Sequence, residues 1–504
     1  MAVTEVLLGL LAAVIAIALY ITRRNLTYWK RRGIPCDEPH WLYGNLNGVT
    51  KTISLAEAFA RVYRRYLGTG PFCGFYTLQK PCVLVLTPEL TKQVLIKDFA
   101  NFSDRGLYTN EEDDPLTGHL FALSGQKWRF MRNKLSPTFT SGQMKFMFPT
   151  VLSVAENFVD TIQAELEKNE VIEIKDLLAR FTTDVIGSCA FGIECNSLKN
   201  PDAIFRDMGR RIFTDRRHGE LVNTLISVAP GLARKLHVRF VPDAIANFFT
   251  KIVREAVDYR EKNQVQRKDF LNLLMELNKG NLKFEDKTDG RGLSIDEMTA
   301  QVFVFFVAGF ETSSTTLAFL LYELALNPDM QQRLREEIIE AVGQHDGKVT
   351  YECINSMPYM KQVISETLRK YPVLPNLQRE ALADYVVPGH PKYVIEKGAT
   401  VFISVMGIHH NPDIYPDPQR FDPERFSPEA LKTRDTINWL PFGDGPRNCI
   451  GLRFGQMQIR VALTYLLQNF VFMQSGLTEV PLKLNIKQFL NSSENGIHLK
   501  VERI

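Results

Sequence analysis

Cysteine is scarce in this chain of 504 residues: Cys36, Cys73, Cys82, Cys189, Cys195, Cys353 and Cys449, odd in number, scattered, and with no CxxC pair. That pattern fits reduced thiols in a cytosol-facing protein better than a disulfide framework. Structural zinc fails for want of neighbouring Cys/His pairs, since His409 and His410 stand next to each other some forty residues before Cys449. No GxxxxGK[ST] occurs, so there is no phosphate loop, and no GxGxxG, so the chain carries no dinucleotide-binding fingerprint. Blocks of like charge are missing and the formal net charge is only +3, which argues against a nucleic-acid binder. There is no internal repeat and no long low-complexity linker, so one large globular unit is the simplest reading. With 45% hydrophobic and 23% charged residues, it has a large core available.

What is present begins with "VLLGLLAAVIAIALYI", Val6 to Ile21, without a charged residue. It is slightly short of the ~20 residues a spanning helix needs, and Met1 to Val3 extend it. A cleaved signal peptide is the alternative, with Ala16-Ile17-Ala18 as a small-residue site, but such a peptide carries its positive charge first. Here Glu5 precedes the run and Arg23, Arg24, Lys30, Arg31 and Arg32 follow it, an order that keeps the body of the protein in the cytosol. The expected organisation is an anchor over 1–22, a basic linker and proline hinge over 23–35 ending in Gly33-Ile34-Pro35, and one globular domain over 36–504.

Two short segments read as strands, "CVLVL" from Cys82 and "ATVFISV" from Ala399. Helical spacing is expected over Ala155 to Leu166, Phe248 to Leu277 and Met330 to Gly343, with Asn327-Pro328 opening the last. The polar stretch from Lys279 to Gly292 is the best internal loop. After it, Ser294-Ile295-Asp296-Glu297 forms a capping box. The helix it opens is apolar all round from Val302 to Phe310, and should run through the core. Glu311 and Thr312 then interrupt it, followed by Ser313, Ser314, Thr315 and Thr316. A carboxylate in such a run is costly unless paired, hydrated or used. The bland reading of Thr312 is a bond back to the Ala308 carbonyl that bends the helix.

Other features say little alone. Glu366 and Arg369 lie at i and i+3, the spacing of a surface ion pair. Trp128 and Arg132 share a face of a basic segment with Lys127, Arg129 and Lys134. "PFGDGPRNCIG", 441 to 451, is the most informative stretch: one cysteine in a glycine-rich turn that opens onto an apolar segment. A Cys-His nucleophile stays open, because its partners need not be close in sequence. A single thiolate given to the metal of a cofactor fits the setting better, since haem iron takes one axial thiolate and leaves its other side open to oxygen. The glycines would let the backbone pass close under a flat macrocycle. The helix after Gly451 would aim its amides at the sulfur and favour thiolate.

These residues carry a resemblance. Phe442-Gly443-Asp444-Gly445-Pro446-Arg447-Asn448-Cys449-Ile450-Gly451 resembles the cysteine-ligand loop of the cytochrome P-450 superfamily, FxxGxRxCxG, without a departure. Ala308-Gly309-Phe310-Glu311-Thr312-Ser313 resembles its oxygen-activation motif, Glu366-Thr367-Leu368-Arg369 its ExxR, and Phe421 to Phe426 its PERF segment. Four motifs in order, with the apolar leader, cover nearly the whole chain. "FSDRG", Phe102 to Gly106, is similar to the insect microsomal branch that oxidises hormones and insecticides.

The resemblance implies a mainly α fold with small β-sheets, a triangular helical prism, behind an N-terminal transmembrane anchor. It implies haem between the Thr312 helix and a Cys449 thiolate, with Phe442 against it. Glu311 and Thr312 would manage water and protons, and Gly309 would leave room for dioxygen. Glu366, Arg369 and Arg425 would form a buried network locking the cysteine side of the fold. Trp128, Arg132, Arg379, Arg447 and Arg105 are the expected partners of the haem propionates. Phe303, Phe306, Phe310 and Val373 to Leu377 are expected to line an apolar pocket for lipophilic substrates. The implied reaction inserts one oxygen atom from dioxygen, with electrons from NADPH through a separate reductase or a small haem donor. The implied location is the endoplasmic reticulum membrane, catalytic domain on the cytoplasmic face. Leu225 to Pro242 mixes apolar and basic residues, as a bilayer-dipping segment or an ordinary surface helix does. A reductase-independent haem-thiolate isomerase or peroxygenase, and a haem sensor, share the cofactor; the Glu311-Thr312 pair and the apolar pocket count against them.

Overall fold

A computed structural model describes residues 2–267, 269–278 and 292–504; the loop expected over 279–292 lies, but for its last residue, outside them. The central helix, Ile295–Leu326, sets the architecture. Its start is fixed by the expected capping box: Ser294 Oγ accepts from the Glu297 amide at 3.1 Å, and the Glu297 carboxylate accepts from the Ser294 amide at 2.8 Å. It ends at Asn327, because Pro328 opens the next helix, Pro328–Gly343, and cannot continue the ladder. Most of its length is buried, as an all-round apolar helix must be. Its neighbours include the helices Ile174–Ile186, Asp243–Asn263, Pro358–Lys370 and Leu452–Asn469.

The expectation of one helix from Phe248 to Leu277 is corrected. The chain breaks it into Asp243–Asn263 and Phe270–Asn278. Gln264 ends the first in a left-handed conformation, φ +55°, without the glycine that usually announces such a stop. The two expected strands form at Lys80–Val85 and Thr400–Ser404, which pair in parallel with Val83 opposite Val401. Phe72–Thr77 and Asn376–Glu380 complete that four-stranded sheet on either side, antiparallel to their neighbours. Val171–Glu173, His498–Arg503 and Phe470–Gln474 make a second small sheet.

Two apolar cores result. One is helical and centred on the Ile295–Leu326 helix; the other lies around the four-stranded sheet. Leu440 belongs to the sheet-side core, while Phe442 and Ile450 pack against the helical one, so the 441–451 loop runs along the seam between them. The N-terminal helix, Ala2–Leu26, extends past the expected anchor boundary and is exposed throughout its apolar run. Its Val3–Leu26 stretch is long and apolar enough to cross a membrane. The basic stretch after it is packed down: Trp29 is buried, its amide donates to the Tyr76 hydroxyl at 3.1 Å, and the Pro35 carbonyl accepts from the Gly74 amide at 2.8 Å.

Candidate active site

Cys449 is the one exposed cysteine of the seven. Its amide donates to the Phe442 carbonyl at 2.8 Å, which closes the loop on itself. Surrounding protein pushes its thiol up; the Gly451 N–H and then the Arg132 and Arg105 guanidinium groups pull it back down. Gly451 is the N-cap of Leu452–Asn469, so the helix start does meet the sulfur. The chain itself requires glycine at 445. Its φ is +70°, and a side chain there would run into the Leu95 carbonyl of the segment beneath it.

Four guanidinium groups gather beside this loop. Arg132 donates to the Asn448 carbonyl at 2.9 Å and to the Asn448 side-chain oxygen at 2.8 Å, gripping the residue before the cysteine. Arg105 donates to the carbonyls of Phe121, at 2.9 Å, and Arg447, at 3.2 Å. Arg379 is buried and donates to its neighbour's carbonyl at 2.8 Å. Arg447 is buried, lies over the Trp128 ring at 4.3 Å and donates to the Leu123 carbonyl. Among the described residues the single carboxylate in ion-pair reach is Asp104, 3.9 Å from Arg447. Burial pushes Arg379 down to about 10 and, with repulsion from Arg379 and Arg132, Arg447 down to about 9. Burial and the other three arginines hold Arg105 well below its ordinary value. Arg379 Nε and Arg447 Nε and Nη1 have no partner among the described residues. Buried donors and unmatched positive charge demand anions. The two propionates of haem fit that demand.

On the central helix Ala308 is exposed, and the partly exposed Val304 and Thr312 lie one turn to either side of it. Thr312 Oγ1 donates to the Ala308 carbonyl at 2.7 Å, the back-bond anticipated as its bland role. Glu311 accepts from Lys175 Nζ at 3.0 Å and from Thr315 Oγ1 at 3.3 Å. Nothing in the sequence marked Lys175, because it comes from 136 residues away on another helix. Two expectations fail here. Gly309 does not open space for dioxygen: Ile186 of the neighbouring helix occupies the position of a side chain there. Phe306 and Phe310 line no open pocket: both are fully buried and pack on one another at 5.2 Å, with Phe205 and Phe249 beside Phe306 and Phe213 beside Phe310. Phe303 packs on Phe249 at 5.1 Å, with His119 at 6.4 Å. Leu377 reaches the cysteine loop at Gly443.

Glu366 and Arg369 are fully buried, not the surface pair their spacing suggests. Arg369 grips the carboxylate with Nε on Oε2 at 2.6 Å and Nη2 on Oε1 at 2.8 Å, and Arg425 Nε approaches Oε1 as well, at 3.5 Å. Arg369 Nη1 donates to the His409 carbonyl at 3.0 Å, and the His409 ring accepts from the Leu440 amide at 2.9 Å. The network therefore ends at the residue before the cysteine loop. Beside it, His410 donates from Nε2 to the Lys370 carbonyl at 2.8 Å, and burial holds it down at about 4 against an ordinary 6.5. Because the folded protein keeps this ring neutral, its contribution is complete above pH 6.5 and is lost as pH falls from 6.5 towards 4. Urea unfolding of wild type at successive pH values should lose about 2–3 kcal/mol over that window from this group. His410→Gln should show a shallower pH slope.

The comparisons accord with this geometry. A family model described as Cytochrome P450 matches residues 34–499. Over its whole length the chain is 51% identical to all of "Cytochrome P450 6a9" of Drosophila melanogaster. It is 50% identical to "Cytochrome P450 6a2" of the same fly, covering 99% of this chain and all of the relative. "Cytochrome P450 6A1" of Musca domestica is 49% identical, over 99% of this chain and 97% of its own. Both arms of the site, the cysteine loop with its arginines and the Thr312 helix opposite, lie within the matched span, and the chain belongs to the cytochrome P-450 family, as an oxidoreductase of monooxygenase type with a haem-thiolate cofactor.

Proposed function

We propose that the protein is a membrane-anchored microsomal monooxygenase that oxidises lipophilic compounds, foreign or hormonal, with NADPH electrons from a separate flavin reductase or a small haem donor. The observation that carries the reading is the arginine cradle beside Cys449, which holds orphaned N–H groups suited to two carboxylates. In it, Cys449 supplies the thiolate, Arg379 and Arg447 bind the propionates, and Arg105 and Arg132 fix the loop and its charge. Trp128 stacks under Arg447, and Phe442 closes the loop through its carbonyl. Bound haem supplies the redox-active iron at which dioxygen is split, and thiolate electron density favours that cleavage. Two electrons and two protons are consumed, one oxygen atom going to the substrate and one to water.

The residues opposite move the protons. Thr312 can turn its hydroxyl away from the Ala308 carbonyl, and Glu311, held by Lys175, stands one residue behind it to order water. Thr312→Val keeps the shape and removes the hydroxyl; product formed per NADPH is expected to fall about tenfold while substrate binding changes little. Equal yield per NADPH in both proteins would remove Thr312 from the proton route.

The N-terminal helix serves as the anchor of residues 1–22 and its basic flank as the cytosolic side, with 36–504 as the catalytic domain. Exposed Leu221, Val228, Leu232, Leu236 and Phe240 surround the helices Glu220–Val228 and Pro230–Lys235, and suit contact with a bilayer from which substrates enter. The basic face at Lys127, Arg129 and Lys134 suits an acidic reductase. Reconstitution with reductase and lipid tests the whole reading: product from a lipophilic substrate should require NADPH. Arg129→Glu should slow reductase-driven turnover about threefold or more and flatten its salt dependence. If both stay at wild-type values, the reductase docks elsewhere.

A further inference from the structure

Three successive carbonyls of the central helix, at Ala308, Gly309 and Phe310, each accept a side-chain donor. Thr312 Oγ1 reaches the first at 2.7 Å, Gln458 Nε2 the second at 3.0 Å, and Thr182 Oγ1 the third at 3.0 Å. Side-chain donors entering a helical ladder loosen and bend it, so the geometry of this turn depends on whatever holds the donors in place. Gln458 is unlike the other two. It sits on Leu452–Asn469, the helix that issues directly from the cysteine loop, and is fully buried. The same Nε2 also donates to Ser313 Oγ, so one amide spans the turn from Gly309 to Ser313. Its Oε1 has no partner among the described residues, so the side chain is held there by its donor end alone.

We infer that Gln458 is a positioning residue that ties the helix leaving the cysteine loop to the Gly309–Ser313 turn, and so fixes the Thr312 side of the cavity relative to Cys449. The inference rests on the proposed placing of haem between Cys449 and Thr312. The chemistry of an amide matters to it. The carbonyl of Gly309 can only accept, so the tie needs a donor that is present at every working pH. An ionised carboxylate of the same shape has none to offer. When the tie is cut, the turn carrying Thr312 should open more often. Electrons are then diverted: two electrons and two protons reach dioxygen as hydrogen peroxide, and no oxygen atom reaches the substrate.

Gln458→Met keeps volume and removes both donors; Gln458→Glu keeps shape and makes the donor depend on protonation. Amide hydrogen exchange, read on peptides spanning 305–316, is expected to quicken about fivefold or more in the Met variant, with the rest of the central helix unchanged. Product per NADPH should fall about threefold or more in the reconstituted enzyme, with peroxide making up the difference and KM within about twofold. In the Glu variant product per NADPH should be near wild type at the acid end of the working range. It should decline as pH rises through the pKa of a buried carboxyl group, a dependence the wild type lacks. Lower thermal stability with unchanged exchange at 305–316 and unchanged product per NADPH would overturn the inference and leave Gln458 a packing residue. Should the Met variant not fold, a pH-independent yield in the Glu variant does the same. The exchange measurement needs no turnover, so a wild type that yields no NADPH-dependent product contradicts the proposed function without bearing on this tie.

Discussion

Replacing Cys449 with alanine is expected to abolish NADPH-driven product formation, a loss of at least about a thousandfold, while the purified protein keeps its helical fold. The expectation follows from where the sulfur sits. Cys449 contributes nothing to either apolar core; it is the exposed thiol of the chain, and its backbone amide, not its side chain, closes the loop on Phe442. Removal of Sγ therefore leaves the Arg132 grip on Asn448 and the Gly445 turn in place. What disappears is the thiol, which desolvation by the surrounding protein pushes up and which the Gly451 N–H, Arg132 and Arg105 only partly bring back down. Circular dichroism and thermal unfolding of the variant should match wild type apart from the stability that bound haem adds. Turnover should be lost whatever the substrate. A variant that turned over at near wild-type rate would return the open alternatives for this loop to consideration.

The second large effect is on stability. Arg369→Leu is expected to destabilise the fold by about 3–5 kcal/mol, because it strands a buried carboxylate. Glu366 is fully buried, and burial already pushes its carboxyl up, with Arg369 the chief opposing influence. Arg425, 3.5 Å away, cannot replace the two-pronged grip at 2.6 and 2.8 Å. The damage should spread to the site, since Arg369 also holds the His409 carbonyl and His409 holds Leu440. Urea unfolding should show the loss, and haem should dissociate faster from the variant. The double variant Glu366→Leu with Arg369→Leu should recover part of the stability, because no charge is left unpaired. If the single change costs less than about 1 kcal/mol, the pair belongs with surface ion pairs.

What could be read in advance has a physical pattern. The cysteine loop, the capping box at Ser294 and the two strand segments are legible because each depends on neighbours in sequence, whereas the parallel pairing of those strands joins residues over 300 apart and is not. The burial of Glu366 and Arg369 was not, since i, i+3 spacing is the same on a surface helix as in a core; the family resemblance supplied it. Phe306 and Phe310 were misplaced for a related reason. A helix apolar on every side gives no sign of which face stays open; Ala308 is exposed there, and Phe306 and Phe310 are fully buried. Gly309 was assigned to dioxygen, but it answers to Ile186 on a helix more than a hundred residues earlier. The break after Asn263 carries neither Gly nor Pro, so periodicity ran straight through it. Lys175 and Gln458 came to light only in three dimensions, because each acts on a partner far away in the chain.

The central claim is a bond from the Cys449 sulfur to haem iron, and the reduced carbon-monoxide difference spectrum of the purified protein tests it most directly. The account predicts a thiolate-type absorption band in wild type that is absent from Cys449→Ala. The same band in both proteins, or none in wild-type protein that has taken up haem, would contradict it.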